Sequence, residues 1–250
     1  MTNEHLFIIG AQRCGTTYLY KVLDSHPEIY MAKPLRPEPK FFINDLEYSN
    51  GKLYYENKYF SSIDDSIKVL GEKGTSYIEH PDASDRIKSF YPNAKIIVLL
   101  RNPVERAISN YFFSYENGLE TRSIEEVFLL DKKPPDIQVK TSVSPFAYIK
   151  RGEYLNYLLP YHNAFRNNLK IILFDDLFSS TNIYMNIFGF LNVDTSHKIE
   201  ITNKKINQST SVQKYKISEE VNNKLYNYFE QHIIELEKFL GEKTKWNDKV

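Results

Sequence analysis

The feature that most constrains the fold of this sequence is a glycine-bearing turn close to its start. Leu6-Phe7-Ile8-Ile9 is a short, continuous apolar run, which predicts a strand buried on both faces. Gly10-x-x-x-x-Gly15-Thr16-Thr17 follows at once, and Tyr18–Ser25 then places its apolar side chains on one face of a helix. A strand, a glycine loop and a helix in direct succession are typical of an α/β unit. Backbone amides in such a loop point inward and the helix dipole favours an anion, so the turn predicts an anion site.

The remaining apolar runs repeat this alternation of strand and helix. Strands are predicted at Ile67–Leu70, Lys95–Leu100 and Lys170–Phe174. The predicted helices are Pro81–Phe90, Pro103–Tyr115, Glu153–Phe165, Asn182–Leu191 and a C-terminal amphipathic helix from Val221 to Phe239. Short strands alternating with helices favour right-handed βαβ units. The expected fold class is therefore α/β, a P-loop-type three-layer fold with a central parallel sheet flanked by helices, in a single domain spanning 1–250.

Three stretches lack this periodicity. The proline-rich segment 30–41 and the polar segment Glu116–Ser144 are predicted to be loops, the second a mobile insertion. The basic stretch Lys204–Lys216 is predicted as a solvated loop. Its alternative is a lid over a nucleotide, to which Lys204, Lys205 or Ser209 would contribute.

Charge and cysteine content narrow the partners and the compartment. Lys+Arg and Asp+Glu both number 32, so no overall field attracts nucleic acid or an anionic membrane. Cys14 is the single cysteine, which excludes an intrachain disulfide and fits a reducing compartment. The longest aliphatic run, Ile96–Leu100, is far below the about 20 residues that span a bilayer. We expect a cytoplasmic protein without a signal peptide, a membrane anchor or a nucleic-acid partner; its oligomeric state stays open.

The glycine loop resembles a nucleotide P-loop with one change. Thr16 stands where the lysine after the second glycine would be, and the basic residue of the loop is Arg13 instead. Thr16 and Thr17 can donate hydrogen bonds to phosphate oxygens. A kinase or NTPase would use the missing lysine and Mg²⁺ on its β- and γ-phosphates. A donor with a single 5′-phosphate bearing sulfate needs less charge neutralised, and a turn that binds nothing is the simpler alternative.

A second candidate anion site follows the clearest strand. Arg101 stands at the carboxyl end of Lys95–Leu100, the edge at which ligands bind in doubly wound sheets. Ser109 lies in the next helix and faces the same region if that helix starts near Pro103. The two side chains together could hold another phosphate. Taken alone, an arginine in this place is more often part of a structural ion pair, so both interpretations stay open.

Together, the two motifs resemble the paired donor-binding signatures of sulfotransferases that use 3′-phosphoadenosine 5′-phosphosulfate (PAPS). Gly10–Thr17 is similar to the 5′-phosphosulfate loop, and Arg101-Asn102-Pro103-x-x-Arg106-Ala107-x-Ser109-x-Tyr111 to the 3′-phosphate motif. The resemblance runs from about residue 6 to 175, more weakly to Trp246, and points to the heparan-sulfate and bacterial carbohydrate types. Intervening segments agree with it: Leu23-Asp24-Ser25-His26-Pro27, Glu38-Pro39-Lys40-Phe41-Phe42, Gly71-Glu72-Lys73 and Arg151-Gly152-Glu153-Tyr154.

The resemblance implies sulfuryl transfer from PAPS to a hydroxyl or amine, with 3′,5′-bisphosphoadenosine as product and no metal. Glu38 matches the family's catalytic base, Arg13 its loop lysine, here limited to stabilising charge, and Lys73 the lysine of a Glu-Lys-Ser-Pro element. The implied donor-binding residues are Gly10, Gln12, Arg13, Cys14, Gly15, Thr16, Thr17, Arg101, Ser109 and Lys205.

Departures from the family pattern concern the acceptor. Pro37 replaces the lysine before the catalytic glutamate, a role that Arg36 could take over. Gly74-Thr75 replaces Ser-Pro, and Phe113 stands where one N-sulfotransferase branch has a histidine. A saccharide, a secondary metabolite and a peptide therefore all remain open as acceptors.

Two other classes of function remain as alternatives. A P-loop kinase or NTPase would need an acidic Mg²⁺ ligand after a strand, for which Phe174-Asp175-Asp176 is the candidate. A nucleotide-binding partner protein without activity would bind 3′,5′-bisphosphoadenosine without turnover. The six histidines show no metal-binding spacing, and His26 is interpreted as a packed turn residue.

Overall fold

The computed structural model describes residues 3–61, 63–136, 143–179, 182–199, 216–244 and 246, and within them one parallel sheet of five strands. The strands are β1 (Glu4–Gly10), β2 (Ile29–Met31), β3 (Val69–Lys73), β4 (Lys95–Leu100) and β5 (Leu169–Leu173). Their order across the sheet is β2-β3-β1-β4-β5, and every pairing is parallel. The expected α/β class with a central parallel sheet flanked by helices is confirmed.

The first strand lies in the middle of the sheet. It pairs with β3 on one side, where Ile8 is opposite Lys73, and with β4 on the other, where Ile8 is opposite Ile97. Its run Leu6–Ile9 is at most 1% exposed. A strand covered on both faces is uniformly apolar, which explains why this segment lacks alternation. Gly10 consequently lies at the carboxyl edge of the sheet, between two neighbouring strands.

Helices follow most of the strands. Their bounds are α1 (Thr16–Asp24), α2 (Asp45–Tyr48), α3 (Gly51–Phe60), α4 (Ala83–Phe90), α5 (Pro103–Glu116), α6 (Ile124–Phe128), α7 (Tyr154–Phe165), α8 (Asp176–Ser179), α9 (Asn182–Phe190) and α10 (Glu219–Leu240). Capping explains the start of α5, where the Asn102 side chain accepts from the Val104 amide at 3.0 Å and Pro103 needs no partner for its nitrogen. Gly241, with φ +76°, ends α10 in the left-handed region.

Two of the predicted loops contain regular structure. Segment 30–41 overlaps β2, whose three residues pair with the first residues of β3. Glu116–Ser144 contains α6, which begins at a capping box formed by Ser123 and Glu126. The same segment carries a buried ion pair, in which Arg122 Nη2 lies 2.6 Å from Glu120 Oε2. The polar composition of this segment therefore did not indicate a loop, because helix capping and ion pairs also use polar residues.

The described residues group into two compact units. The first consists of 3–100 and 158–199 and contains the whole sheet; the second consists of 101–157 and 216–246 and contains α5, α6 and α10. Among the helices of the described residues, none is long and apolar enough to cross a membrane. The expected single domain and cytoplasmic location stay predictions.

Candidate active site

Two glycines shape the loop that follows β1. A Cβ placed on Gly10 would lie 2.6 Å from Cγ2 of Ile78, so no larger residue fits there. Gly15 has φ +87° and caps α1, and a Cβ there would lie 3.0 Å from the Phe174 ring. Between them, Arg13 also has a positive φ of 68°. The chain can therefore turn sharply from the strand into the helix only with glycine at both positions.

The first backbone amides of α1 point out of the start of the helix. The first hydrogen bonds of α1 run from the Tyr18 and Leu19 amides to the Gly15 carbonyl, at 3.0 and 3.1 Å. The amides of Thr16 and Thr17 precede these bonds, so they point out of the helix end. Amides at a helix N-terminus bind anions through their N–H groups and the helix dipole. This arrangement can hold a phosphate or a sulfate.

The other loop residues differ in exposure. Cys14 is fully buried and its Sγ lies 3.6 Å from the Gln12 carbonyl oxygen, which it contacts as a weak donor. Thr16 is also buried, whereas Gln12, Arg13 and Thr17 are half-buried. Cys14 thus fills space beneath the loop.

A buried lysine and a carboxylate from another segment meet beside the loop. Lys73 is the last residue of β3, is 2% exposed, and donates from Nζ to Oε1 of Glu38. Oε2 of Glu38 accepts from the Thr75 amide at 2.7 Å and from Thr75 Oγ1 at 2.8 Å. The Gly74 amide donates to the Ile8 carbonyl at 3.0 Å, which joins this turn to β1. Two predicted catalytic residues, 35 positions apart, are therefore in direct contact.

The Glu38 carboxylate is held but still open to solvent. Its side chain is 21% exposed, while its partner Lys73 is almost completely buried. A buried ammonium needs a charged partner, because a lone ion loses its hydration without compensation. The contact thus orders the loop between β2 and the 3₁₀ turn Phe41–Ile43, and it leaves part of the carboxylate available to an incoming molecule.

A second carboxyl group lies next to Lys73 but is closed off from solvent. Glu72 is 1% exposed, and its two oxygens accept from the hydroxyls of Tyr55 and Tyr77. Burial raises the pKa of Glu72 to about 7; the two tyrosine hydrogen bonds oppose this rise and the nearby Glu38 charge adds to it. Successive side chains of a strand point to opposite faces of the sheet, so the side chains of Glu72 and Lys73 lie in different environments.

In the second unit, Arg101 follows the last residue of β4. Its Nε and Nη2 donate to Oε2 of Glu105 at 3.0 and 2.8 Å, one turn further along the chain. The Tyr154 hydroxyl donates to the Arg101 carbonyl at 2.7 Å. Ser109 lies in α5 and is 6% exposed. Arg101 is thus in an ion pair, which sequence reasoning allowed; its partner Glu105 was missed, although an i,i+4 Arg–Glu pair is a recognisable signal.

The family-like element Arg151-Gly152-Glu153-Tyr154 packs inside the same unit. Arg151 is buried and donates to Asn110 Oδ1 at 3.2 Å, to which the buried Arg106 also donates at 3.3 Å. A Cβ on Gly152 would lie 2.6 Å from the Phe229 ring. This element therefore braces α5 and α10 within the unit, which the sequence did not reveal.

The remaining residues that the sequence singled out are exposed, packed in a turn, or outside the described residues. Arg36 is exposed, and Phe113 is 38% exposed. Lys204, Lys205 and Ser209 lie outside the described residues, so the lid alternative stays a prediction. His26 is a packed turn residue as predicted: its Nδ1 accepts from the Glu28 amide at 3.1 Å, which leaves Nε2 to donate to the Asp194 carbonyl at 2.9 Å.

The features that a kinase would need are poorly placed. Asp175 and Asp176 are exposed and follow β5, an edge strand separated from β1 by β4. The residues at the ends of the strands flanking β1 are Lys73 and, directly after β4, Arg101. Mg²⁺ takes carboxylate oxygens rather than cationic groups. Across the described ranges, no group of three or more His, Cys, Asp or Glu side chains could hold a metal ion.

Comparison with known proteins gives a consistent family. The sequence profile described as "Sulfotransferase domain" matches residues 3–248. A Dictyostelium discoideum protein named membrane-associated sulfotransferase kil1 is 35% identical over 114 residues, which is 45% of this chain and 23% of that protein. Human heparan sulfate glucosamine 3-O-sulfotransferase 6 is 38% identical over 104 residues, 42% of this chain and 28% of that protein. The matched segments span about a quarter of the length of these relatives.

A solved structure shares the fold. The crystal structure of a sulfotransferase from Alicyclobacillus acidocaldarius aligns with a TM-score of 0.76 over 100% of both chains, at 22% sequence identity. At this identity the likeness concerns the arrangement of strands and helices and not the ligand.

Proposed function

The chain belongs to the sulfotransferase family, and we propose that it transfers a sulfuryl group from PAPS to a hydroxyl or amine of a saccharide or small-molecule acceptor. Membership confirms the resemblance seen in the two sequence motifs. The proposal treats residues 1–250 as one sulfotransferase domain. It assigns Glu38, Arg13 and Lys73 to catalysis, and it needs no metal ion.

One observation carries this proposal: the contact of Glu38 with Lys73 and Thr75 beside the anion-binding loop. Sulfuryl transfer needs a base for the acceptor proton and cations around the transferring group. Here a partly exposed carboxylate and a buried ammonium are already placed together at the end of the strand next to β1. Thr16 also stands where a kinase would carry the lysine that contacts the β- and γ-phosphates.

The donor, when bound, supplies a sulfur that accepts the acceptor oxygen or nitrogen and releases the bridging oxygen of 3′,5′-bisphosphoadenosine. Glu38 takes the proton that the acceptor loses as its new bond to sulfur forms. Lys73 and Arg13 stabilise the negative charge that develops on the sulfuryl and bridging oxygens. Arg13 does this as a permanent cation, because a guanidinium does not release its proton at ordinary pH.

The donor-binding residues are assigned from both motifs. The amides of Thr16 and Thr17, with the loop from Gly10 to Gly15, suit the 5′-phosphosulfate group. Gln12 and Cys14 belong to that loop and shape it. We assign Arg101 and Ser109 to the 3′-phosphate, where a guanidinium can form charge-assisted hydrogen bonds. Lys205 is assigned to the nucleotide from the family resemblance alone.

The acceptor is proposed by class. The human relative is named for sulfation of a glucosamine unit of heparan sulfate, which makes a saccharide the first acceptor to test. Phe113 and Gly74-Thr75 depart from the family pattern on the acceptor side, so identity of the acceptor with that of any relative is not assumed.

A screen with sulfur-labelled PAPS against saccharides, phenols and amines tests the proposal. Transfer of label to one acceptor class, with release of 3′,5′-bisphosphoadenosine, is the expected result, and it should persist in EDTA. In thermal denaturation, 3′,5′-bisphosphoadenosine at about 100 times its Kd should stabilise the protein by roughly 2.7 kcal/mol, and ATP with Mg²⁺ by far less. Equal stabilisation by ATP, or activity restored only by Mg²⁺, would favour the kinase alternative. Binding without any label transfer would favour the inactive nucleotide-binding protein.

A further inference from the structure

Tyr77 lies where three parts of the first unit meet. It follows the turn that holds Glu38, its ring packs on that turn, and its hydroxyl contacts Glu72. Resting on the function proposed above, we propose that Tyr77, anchored by the buried carboxyl of Glu72, is a positioning residue that holds Glu38 in place for proton transfer. Tyr77 is itself fully buried and has no access to a substrate, so it would act through its neighbours.

Tyr77 is anchored at its hydroxyl and at its main chain. The Tyr77 hydroxyl donates to Oε1 of Glu72, a residue of β3, which lies between β2 and β1 in the sheet. A hydrogen bond between two fully buried groups is costly to break, because neither group can turn to water instead. The Tyr161 hydroxyl also donates to the Tyr77 carbonyl at 2.8 Å, which fixes the main chain of the residue. Tyr77 is therefore held at both its ring end and its backbone.

The Tyr77 ring packs on the turn from Gly74 to Tyr77. A Cβ added to Gly74 would lie 2.6 Å from Cε2 of Tyr77, so the ring rests directly on the Gly74 backbone. The Tyr77 amide donates to the Gly74 carbonyl at 3.0 Å and closes the turn. Thr75 lies inside this turn. The position of its amide is thus set by the Tyr77 ring on one side and by the Gly74–Ile8 hydrogen bond on the other.

This turn holds Glu38, the proposed base, through Thr75. The amide and the hydroxyl of Thr75 both donate to Oε2 of Glu38, at 2.7 and 2.8 Å. A shift of the turn would move both donors together, and the carboxylate with them. Misplacement of a reacting group by about 1 Å can cost on the order of 10²-fold in rate.

Tyr77 also contacts the chain on the other side of Glu38. Phe42 lies four residues after Glu38 and is fully buried. The rings of Phe42 and Tyr77 meet edge to face, with centroids 5.8 Å apart. The Tyr77 ring thus packs against the chain that follows Glu38 and also against the turn that donates to Glu38.

The test compares Tyr77→Phe with Tyr55→Phe. Both variants remove one buried hydroxyl that donates to Glu72, but Tyr55 comes from α3 and binds the other oxygen, Oε2. We expect Tyr77→Phe to lower kcat roughly tenfold or more with little change in the KM for PAPS. Tyr55→Phe should lower the melting temperature to a similar extent and leave kcat within about twofold.

A second readout does not depend on activity. Hydrogen exchange at the Thr75 amide reports its bond to Glu38, and Tyr77→Phe should speed it by roughly tenfold while Tyr55→Phe should not. If wild-type protein transfers no label from PAPS, the proposed function fails by itself, and exchange at Thr75 still shows whether Tyr77 holds Glu38.

Three results would overturn the positioning role. These are an unchanged kcat in Tyr77→Phe, an equal loss of kcat in Tyr55→Phe, and unchanged exchange at Thr75. Should Tyr77→Phe fail to fold, Tyr161→Phe provides the alternative variant, since it removes the 2.8 Å hydrogen bond to the Tyr77 carbonyl and leaves Thr75 and Glu38 unchanged. It should lower kcat by a smaller factor, about threefold to tenfold, again without a change in the donor KM.

Discussion

Two regions of this molecule carry the residues assigned to sulfuryl transfer, and they are built in opposite ways. In the first unit, Glu38 contacts Lys73 and Thr75, residues more than 30 positions away, around an ammonium that is 2% exposed. In the second, Arg101 pairs with Glu105, four residues along the chain, and the side chains are 23% and 54% exposed. The first contact is long-range and includes a buried ammonium, and the second is local and joins two partly exposed side chains.

The difference bears on how each region would meet a ligand. The buried contact requires the folded unit, so Glu38 and Lys73 are already arranged before a donor or acceptor arrives. An exposed i,i+4 pair contributes only about 0.3–0.5 kcal/mol, so Arg101 can exchange Glu105 for a phosphate at little cost. We infer that the first region is preorganised for chemistry, whereas the second is adapted to binding and release.

Glu38→Gln should produce the largest effect. The amide keeps the shape of the side chain but cannot take a proton, so kcat should fall by roughly 10²–10⁴-fold. The affinity for 3′,5′-bisphosphoadenosine, measured by calorimetry, should barely change. Glu47→Gln is the matched control, because Glu47 accepts from Lys58 at 2.6 Å in an exposed ion pair of the same unit. Normal turnover in Glu38→Gln would leave the Pro-rich loop a structural role only.

The buried carboxyl beside Lys73 should make stability depend on pH. Because the pKa of Glu72 is raised to about 7 from its ordinary 4.5, the folded state binds its proton more tightly than the unfolded state does. Its contribution to stability is therefore greatest below about pH 4.5 and is lost as pH rises through 7, by on the order of 3 kcal/mol. Denaturation of Glu72→Gln between pH 4 and 8 should lack this fall. If the free energy of unfolding of Glu72→Gln depends on pH as that of the wild type does, the fall in stability comes from other titrating groups.

Arg101→Ala should act on binding rather than on chemistry. Loss of a charged contact to phosphate costs about 1.5–3 kcal/mol, so the KM for PAPS should rise by roughly 10- to 100-fold while kcat changes little. Arg86→Ala is a suitable control, since Arg86 forms exposed ion pairs with Asp45 and Asp82 and is assigned no ligand. A loss confined to kcat would mean that Arg101 takes part in the chemistry and would remove the contrast between the regions.

Glu105→Gln should have the smallest effect of these variants, and it should strengthen donor binding where Arg101→Ala weakens it. The variant removes one carboxylate that competes with a phosphate for the Arg101 guanidinium. It should tighten donor binding by about twofold to fivefold and change stability by less than about 1 kcal/mol. Steady-state kinetics and thermal denaturation measure both quantities. A clear weakening of donor binding would instead show that Glu105 aims Arg101, and the second region would then count as preorganised as well.

Much of the fold could be predicted from local patterns, and the exceptions have physical reasons. Lys95–Leu100 was predicted with its observed bounds because an uninterrupted aliphatic run fits only a strand buried on both faces. Ile29–Met31 was missed since a three-residue strand has almost no pattern of its own; its pairing with β3 makes it a strand. α6 was missed although Ser123 and Glu126 carried the capping-box signal, because the surrounding polarity favoured a loop.

The candidate site divides in the same way. The parts of the site that are close along the chain could be predicted from local patterns: the loop Gly10–Thr17, with glycines where a Cβ would clash, and Arg101 directly after a strand. The pairing of distant residues became visible only in the folded chain: Glu38 with Lys73 and Thr75, and Glu72 with Tyr55 and Tyr77. A loop or a cap is set by neighbouring dihedral angles, whereas these contacts arise when strands pair in register and bury their polar ends together.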